Sequence, residues 1–197
     1  MNVIRRTLLL GALFLVATEH SIPQQAVPPP PKPADSGPSL EVTLKFIQDK
    51  LNDLGPISFK QSLTNSSTGV SFYEPWTERV TSVVGNAGAC SISYHLKEER
   101  GPQHQVTQDG DFGISLKEAE SVQIEKMEQY SDAMQQRGGS SNMAYTASTP
   151  QTWILLIHRP HNVSNYLVFQ DDDLADRVAK AMTHAIELCG GGNKDPF

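Results

Sequence analysis

Two cysteines in 197 residues are too few for a disulfide-dense scaffold and too few for a four-cysteine zinc site. Basic residues are also scarce. The 16 Lys+Arg stand against 22 Asp+Glu, a formal net charge of -6, which excludes the electropositive footprint of a nucleic-acid-binding protein. The longest apolar run, residues 7–18 (TLLLGALFLVAT), is too short for a hydrocarbon layer that takes about 20 apolar residues to cross. Missing as well are the G-x-S-x-G nucleophile turn, the P-loop, the G-x-G-x-x-G dinucleotide loop and the H-E-x-x-H zinc helix.

What is present begins with an address. Arg5 and Arg6 precede the apolar run, so residues 1–26 read as a secretory signal peptide. Ala26 is one candidate cleavage point and the stretch Thr18 to Ser21 another; an uncleaved anchor is the alternative. No cysteine follows the run, so a lipid anchor is not expected. Residues 27–38, the core of QQAVPPPPKPADSGP, are a Pro-rich linker that cannot build a core and should be extended. A docking motif for a proline-reading partner is its sharper reading. The remaining length fits one globular domain, residues 39–192, with a tail at 193–197.

That domain opens and closes on helices. Ser39 can cap a helix running to about Leu54, where Gly55 and Pro56 stop it; Leu40, Leu44, Ile47, Leu51 and Leu54 fall on one stripe. At the far end Asp171 to Asp173 sit where carboxylates cap free N–H groups, a simpler reading than calcium binding. Leu174, Val178, Met182, Ala185 and Ile186 then continue a helical stripe to Gly190-Gly191-Gly192.

Between the helices the period changes to two. Residues 57–63, 90–96, 112–116, 122–124, 143–148 and 163–169 read as half-buried strands, and Trp153 to His158 as a central strand apolar on both faces. Turns are expected at Gly85-Asn86, Asp109-Gly110, Gly138-Gly139 and residues 159–162. Residues 118–136 read as a strand edge followed by a polar loop, with a short helical turn after Ser131. The class is therefore α+β: an N-terminal helix, an antiparallel sheet or partly closed barrel of about six or seven strands, and a C-terminal capping helix. Cys90 shares a strand face with Ile92 and Tyr94, and Cys189 shares a helix face with Val178 and Met182. A final helix laid over the sheet points both sulfurs into one layer, so an exported chain should join Cys90 to Cys189. Two separate buried thiols, or a nucleophilic Cys90, are the alternatives.

Few residues suggest chemistry. His158 and His161 flank Arg159-Pro160 in a turn, a poorer zinc site than a helix would give. His184 falls off the closing helix's stripe, as a boundary residue would. Gly138-Gly139-Ser140-Ser141 has no following Lys for phosphate. Asn65-Ser66-Ser67 and Asn162-Val163-Ser164 match glycosylation acceptors, a pattern frequent by chance. The best binding hint is aromatic. Phe72, Tyr73 and Trp76 lie in what reads as a polar loop, Asn65 to Arg79; exposed, they would form a partner site, and folded back, they would plug the sheet.

The run from Leu174 to Gly191 resembles the C-terminus of a family of uncharacterised secreted proteins of acidobacteria-type soil bacteria. The stretch Leu44 to Gly55 is similar to that family's first helix. The family carries no activity to transfer. The strand-rich middle closed by one helix also resembles the pleckstrin-homology-like barrel, which implies a binding scaffold rather than an enzyme. Headgroup recognition in such domains implies basic residues in an early loop, where only Lys60 and Arg79 stand beside Glu74 and Glu78.

The expectation is an exported, periplasmic or extracellular, non-enzymatic domain. It would bind a protein, peptide or envelope component, with no cofactor, metal, nucleic acid or membrane span after signal removal. The rival is a hydrolase-type enzyme whose site gathers dispersed residues such as His95, His158 and Asp109. A purely structural envelope protein is the third reading.

Overall fold

A computed structural model describes residues 37–138 and 143–192. The expected signal peptide, the linker up to Ser36, the 193–197 tail and the glycine turn beyond Gly138 lie outside those residues. The class is α+β, as the pattern of periods implies, with three helices and two antiparallel sheets.

Helix α1 (Leu40–Asn52) begins where Ser39 Oγ accepts the Val42 N–H at 3.4 Å, and its buried residues include Leu44, Ile47 and Leu51 of the expected stripe. A meander follows: β1 (Pro56–Asn65), β2 (Ser71–Asn86), β3 (Ser91–Arg100) and β4 (Gln105–Ser115). After β5 (Ser121–Lys126) comes α2 (Met127–Gly138), then β6 (Met143–Thr149), β7 (Trp153–Arg159), β8 (Val163–Phe169) and α3 (Asp172–Leu188). The first sheet runs β4-β3-β2-β1-β6 and the second β5-β7-β8, so the apolar strand from Trp153 is central as expected.

Three local expectations are corrected. The segment from Asn65 to Arg79 is not a loop: β2 begins at Ser71 and pairs with β1 from Thr64↔Ser71 to Pro56↔Arg79. Pro75 is tolerated because β3 stops at Arg100, its partner in register being Trp76, so no third strand needs the missing N–H. Asp109-Gly110 is no turn either. It pairs with Lys97 and Leu96 inside β4, and the chain reverses instead at Gly101 to His104, both of which adopt positive φ. Finally, residues 127–138 form a full helix rather than a loop. Its inner side is held by buried Met127 and by Gln61 Nε2 donating to Ser131 Oγ at 2.6 Å, an anchor that a search for apolar periodicity overlooks. With β2 added, the strands among the described residues number eight.

The main core joins α1, α3 and the inner face of the meander around Leu51, Ile92, Ile114, Phe169 and Met182. A smaller one lies on the opposite face of the second sheet, around Phe59, Met127, Ile154 and Leu156. The disulfide Cys90–Cys189 closes the main core, with Cα atoms 5.7 Å apart. Cys90 is not in β3 itself but in the turn before it, with φ 52°, and Cys189 is the C-cap of α3. Gly191 seals the same corner: a Cβ there would collide with the carbonyl oxygens of Leu116 and Ala119.

Candidate functional site

Two open sheets have four edges, and an uncovered edge invites another strand. Three of the four are managed. Along β6, α2 packs closely, and Asp132 Oδ1 accepts the Tyr145 N–H at 3.1 Å. On β4, the exposed carboxylates Asp109 and Asp111 and the flexible Gly110 and Gly113 discourage pairing. Along β8, contacts with the first sheet flank the strand. Tyr166 donates to Glu98 Oε2 at 3.0 Å, Gln170 Nε2 donates to the Ser58 carbonyl at 2.7 Å, and the Glu78 carboxyl lies against the Val168 amide.

The fourth edge, β5, is different. Val122 and Ile124 are half-buried and face α3, while the strand's outer side has no neighbour in the sheet. Helix α3 runs beside it and leaves two adjoining depressions of about 370 and 330 Å³ that share Val122, Thr183 and Glu187. One is floored by Val122, Ile124 and Ala179 and walled by Asp176 and Lys180. The other is walled by Glu120 and Glu187. Lys180 Nζ donates to Asp176 Oδ2 at 2.5 Å, and this bond raises the Lys180 pKa. His184 is the boundary residue the helical stripe implies: its Nε2 lies 2.9 Å from the Pro38 carbonyl, holding the entry of the chain at one rim.

The residues singled out from sequence are placed as follows. Phe72 and Tyr73 are 48% and 68% exposed, but on a strand they point to opposite faces. Trp76 shares Phe72's face and is half-buried; its ring lies 5.5 Å from that of Phe59, with the Arg100 guanidinium 3.5 Å from its centroid. His95 and Asp109 do meet, at 2.9 Å, and Asp111 takes the other ring nitrogen at 2.8 Å, but both carboxylates are exposed. The hydrogen bonds raise the imidazole pKa, that to Asp111 most. His158 stands on the second sheet, with Nδ1 3.0 Å from Ser164 Oγ, so the three residues of the rival hydrolase site are not assembled together. Among the described residues no cluster of three His, Cys, Asp or Glu could hold a metal. Cys90 is in a disulfide and is not a free nucleophile.

One interior feature escaped the sequence reading. Glu78 and Glu98 are register partners on β2 and β3, and each is only 2% exposed. Burial first, and the Glu98 charge second, push the Glu78 pKa from 4.5 up to about 8, against the weaker pull of the Val168 amide and Arg100. Neither Glu78 oxygen closes a hydrogen bond of good geometry. For Glu98 burial also pushes upward, but hydrogen bonds from Arg100 at 2.8 Å, Thr107 at 2.5 Å and Tyr166 outweigh it and hold its pKa below the ordinary value. The interior therefore contains one neutral acid beside one carboxylate. The parity of the strands carried the signal: Glu78 falls between Trp76 and Val80, and Glu98 follows Tyr94 and Leu96, on the inward positions. No protein-family model, curated protein or solved structure matches the chain.

Proposed function

We propose that this protein is an exported, non-enzymatic binding domain that captures an extended segment of a partner polypeptide along β5, beside α3. The observation that carries the reading is the contrast among edges. Among the described residues, β6 is covered by α2, β4 carries exposed carboxylates and β8 is flanked by the first sheet, whereas β5 pairs an open backbone with an apolar-floored groove. An added strand would gain main-chain hydrogen bonds from β5 and place alternate side chains over Val122 and Ile124. Export is supported by the disulfide and by the N-terminal pattern of Arg5, Arg6 and the apolar run. No helix among the described residues is long and apolar enough to cross a membrane. The sequence of a four-strand meander, a second three-strand sheet and a closing helix supports the pleckstrin-homology-like reading as a binding scaffold. Kinship with the acidobacteria-type secreted proteins stands on the residues of α1 and α3 alone.

A titration tests the reading. A capped peptide of alternating valine and threonine, added to isotope-labelled protein, should shift the backbone amide signals of residues 120–126 and of 176–187. Thr183→Trp, which fills the groove from its exposed rim, should abolish those shifts and leave the fold intact. Shifts confined to other strands, or undiminished in Thr183→Trp, would refute it.

A further inference from the structure

The groove is chemically asymmetric, and its asymmetry follows β5. Glu120, Val122 and Ile124 are alternate residues that line the depressions beside α3. At the Ile124 end the surroundings are apolar, and the charges there cancel. Ala179 forms part of the floor, and Asp176 is neutralised by Lys180 at 2.5 Å. At the Glu120 end two exposed carboxylates, Glu120 and Glu187, flank Val122, and Lys180 is committed to Asp176. Among the described residues the side chain paired with Glu187 is His184, whose Nδ1 stands 4.0 Å away and whose other nitrogen lies against the Pro38 carbonyl.

A strand added to β5 would set its own alternate residues opposite Ile124, Val122 and Glu120. An antiparallel arrangement, the more stable pairing, reads them in that order. Resting on the groove being a strand-capture site, we infer that its partner is a basic extended segment. Reading from its N-terminal side, the pattern is apolar residue, any residue, apolar residue, any residue, Lys or Arg. The apolar pair covers Ile124 and Val122, and the cation sits between Glu120 and Glu187. An acidic residue at that last position would meet two like charges and be rejected, so the carboxylates supply discrimination as well as attraction.

Three capped peptides separate the parts of this argument. Each has valine at its first and third strand positions and threonine between, and the fifth position carries Arg, Gln or Glu. Measured by amide shifts of the whole chain at low salt, the Arg peptide should bind about tenfold more tightly than the Glu peptide, with Gln between. The ratio should shrink toward one at about 1 M salt, where the Debye length is near 3 Å. A protein carrying Glu120→Lys and Glu187→Lys should reverse the order, and one carrying Glu120→Gln and Glu187→Gln should level it, with circular dichroism confirming the fold in both. If all three peptides shift the β5 amides with equal affinity, the groove binds strands but the charge inference is wrong. If the order persists in the Lys variant, the inference is wrong as well. If none perturbs β5, the strand-capture reading itself falls.

Discussion

Glu78 gives the sharpest test of the structure's energetics. Its carboxyl is neutral in the fold up to about pH 8, whereas an unfolded chain ionises it at about 4.5. The folded state therefore holds a proton that the unfolded state has released between those values, and stability falls as pH rises through that window. A shift of this size corresponds to about 5 kcal/mol in full, and to about 3 kcal/mol at pH 7. Glu78→Gln keeps the shape and removes the titration. Urea unfolding of both proteins from pH 4 to pH 9 should give similar midpoints at pH 4. The variant should gain steadily above that, reaching an advantage of about 3 kcal/mol at pH 7 and approaching 5 at pH 9. Two other groups move with pH but do not mimic the result. Glu98, whose pKa is lowered, costs stability only as pH falls below about 4.5. His95, whose pKa is raised, loses its contribution as pH rises through its folded value, but it does so equally in both proteins and cancels in the difference. Two pH curves that run parallel would show that Glu78 is ionised in the fold, and the account of the polar seam along β8 would fail.

Two further outcomes follow from the closing corner. Replacing Cys90 and Cys189 together by serine opens a bridge of sequence separation 99, and chemical denaturation should register a loss of about 2–5 kcal/mol; an unchanged midpoint would mean the packing alone holds α3. Gly191→Ala drives a methyl into the Leu116 and Ala119 carbonyls, so thermal unfolding should report a loss of about 1–3 kcal/mol, and a neutral result would show that the corner yields.

The terminal helices and the disulfide were legible because each is written in local signals: Ser39 and Asp171 as caps, stripes of Leu and Val, and two cysteines on inward positions. The elements where structure and sequence pattern differ lack such signals or contradict them. In β2, Glu74 and Pro75 interrupt the alternation, and only the end of β3 at Arg100 explains why they are harmless. In α2, the inward stripe includes Ser131, whose partner Gln61 is 70 residues away. In β4, Gly110 imitates a turn while lying in a strand opposite Leu96. The candidate site was hidden for a different reason. Whether β5 is an edge depends on which strands pair with it, and its one partner, β7, arrives only after α2 and β6. The aromatics of residues 72–76 suggest one patch in sequence, but strand geometry divides Phe72 and Tyr73 between two faces.

The sulfur bridge also divides the chain mechanically. Residues 90–189 form a covalent ring that contains β3 to β8 and all of α3, while α1, β1 and β2 stand outside it. Stretched between its two ends, the oxidised molecule can pay out the segment from Gly37 to the first cysteine, yet the ring passes the load from sulfur to sulfur and yields no length. Single-molecule extension would therefore release only the opening helix and hairpin, and the wall beside β5 would remain tied at its far end to the sheet after the first third of the fold had come apart.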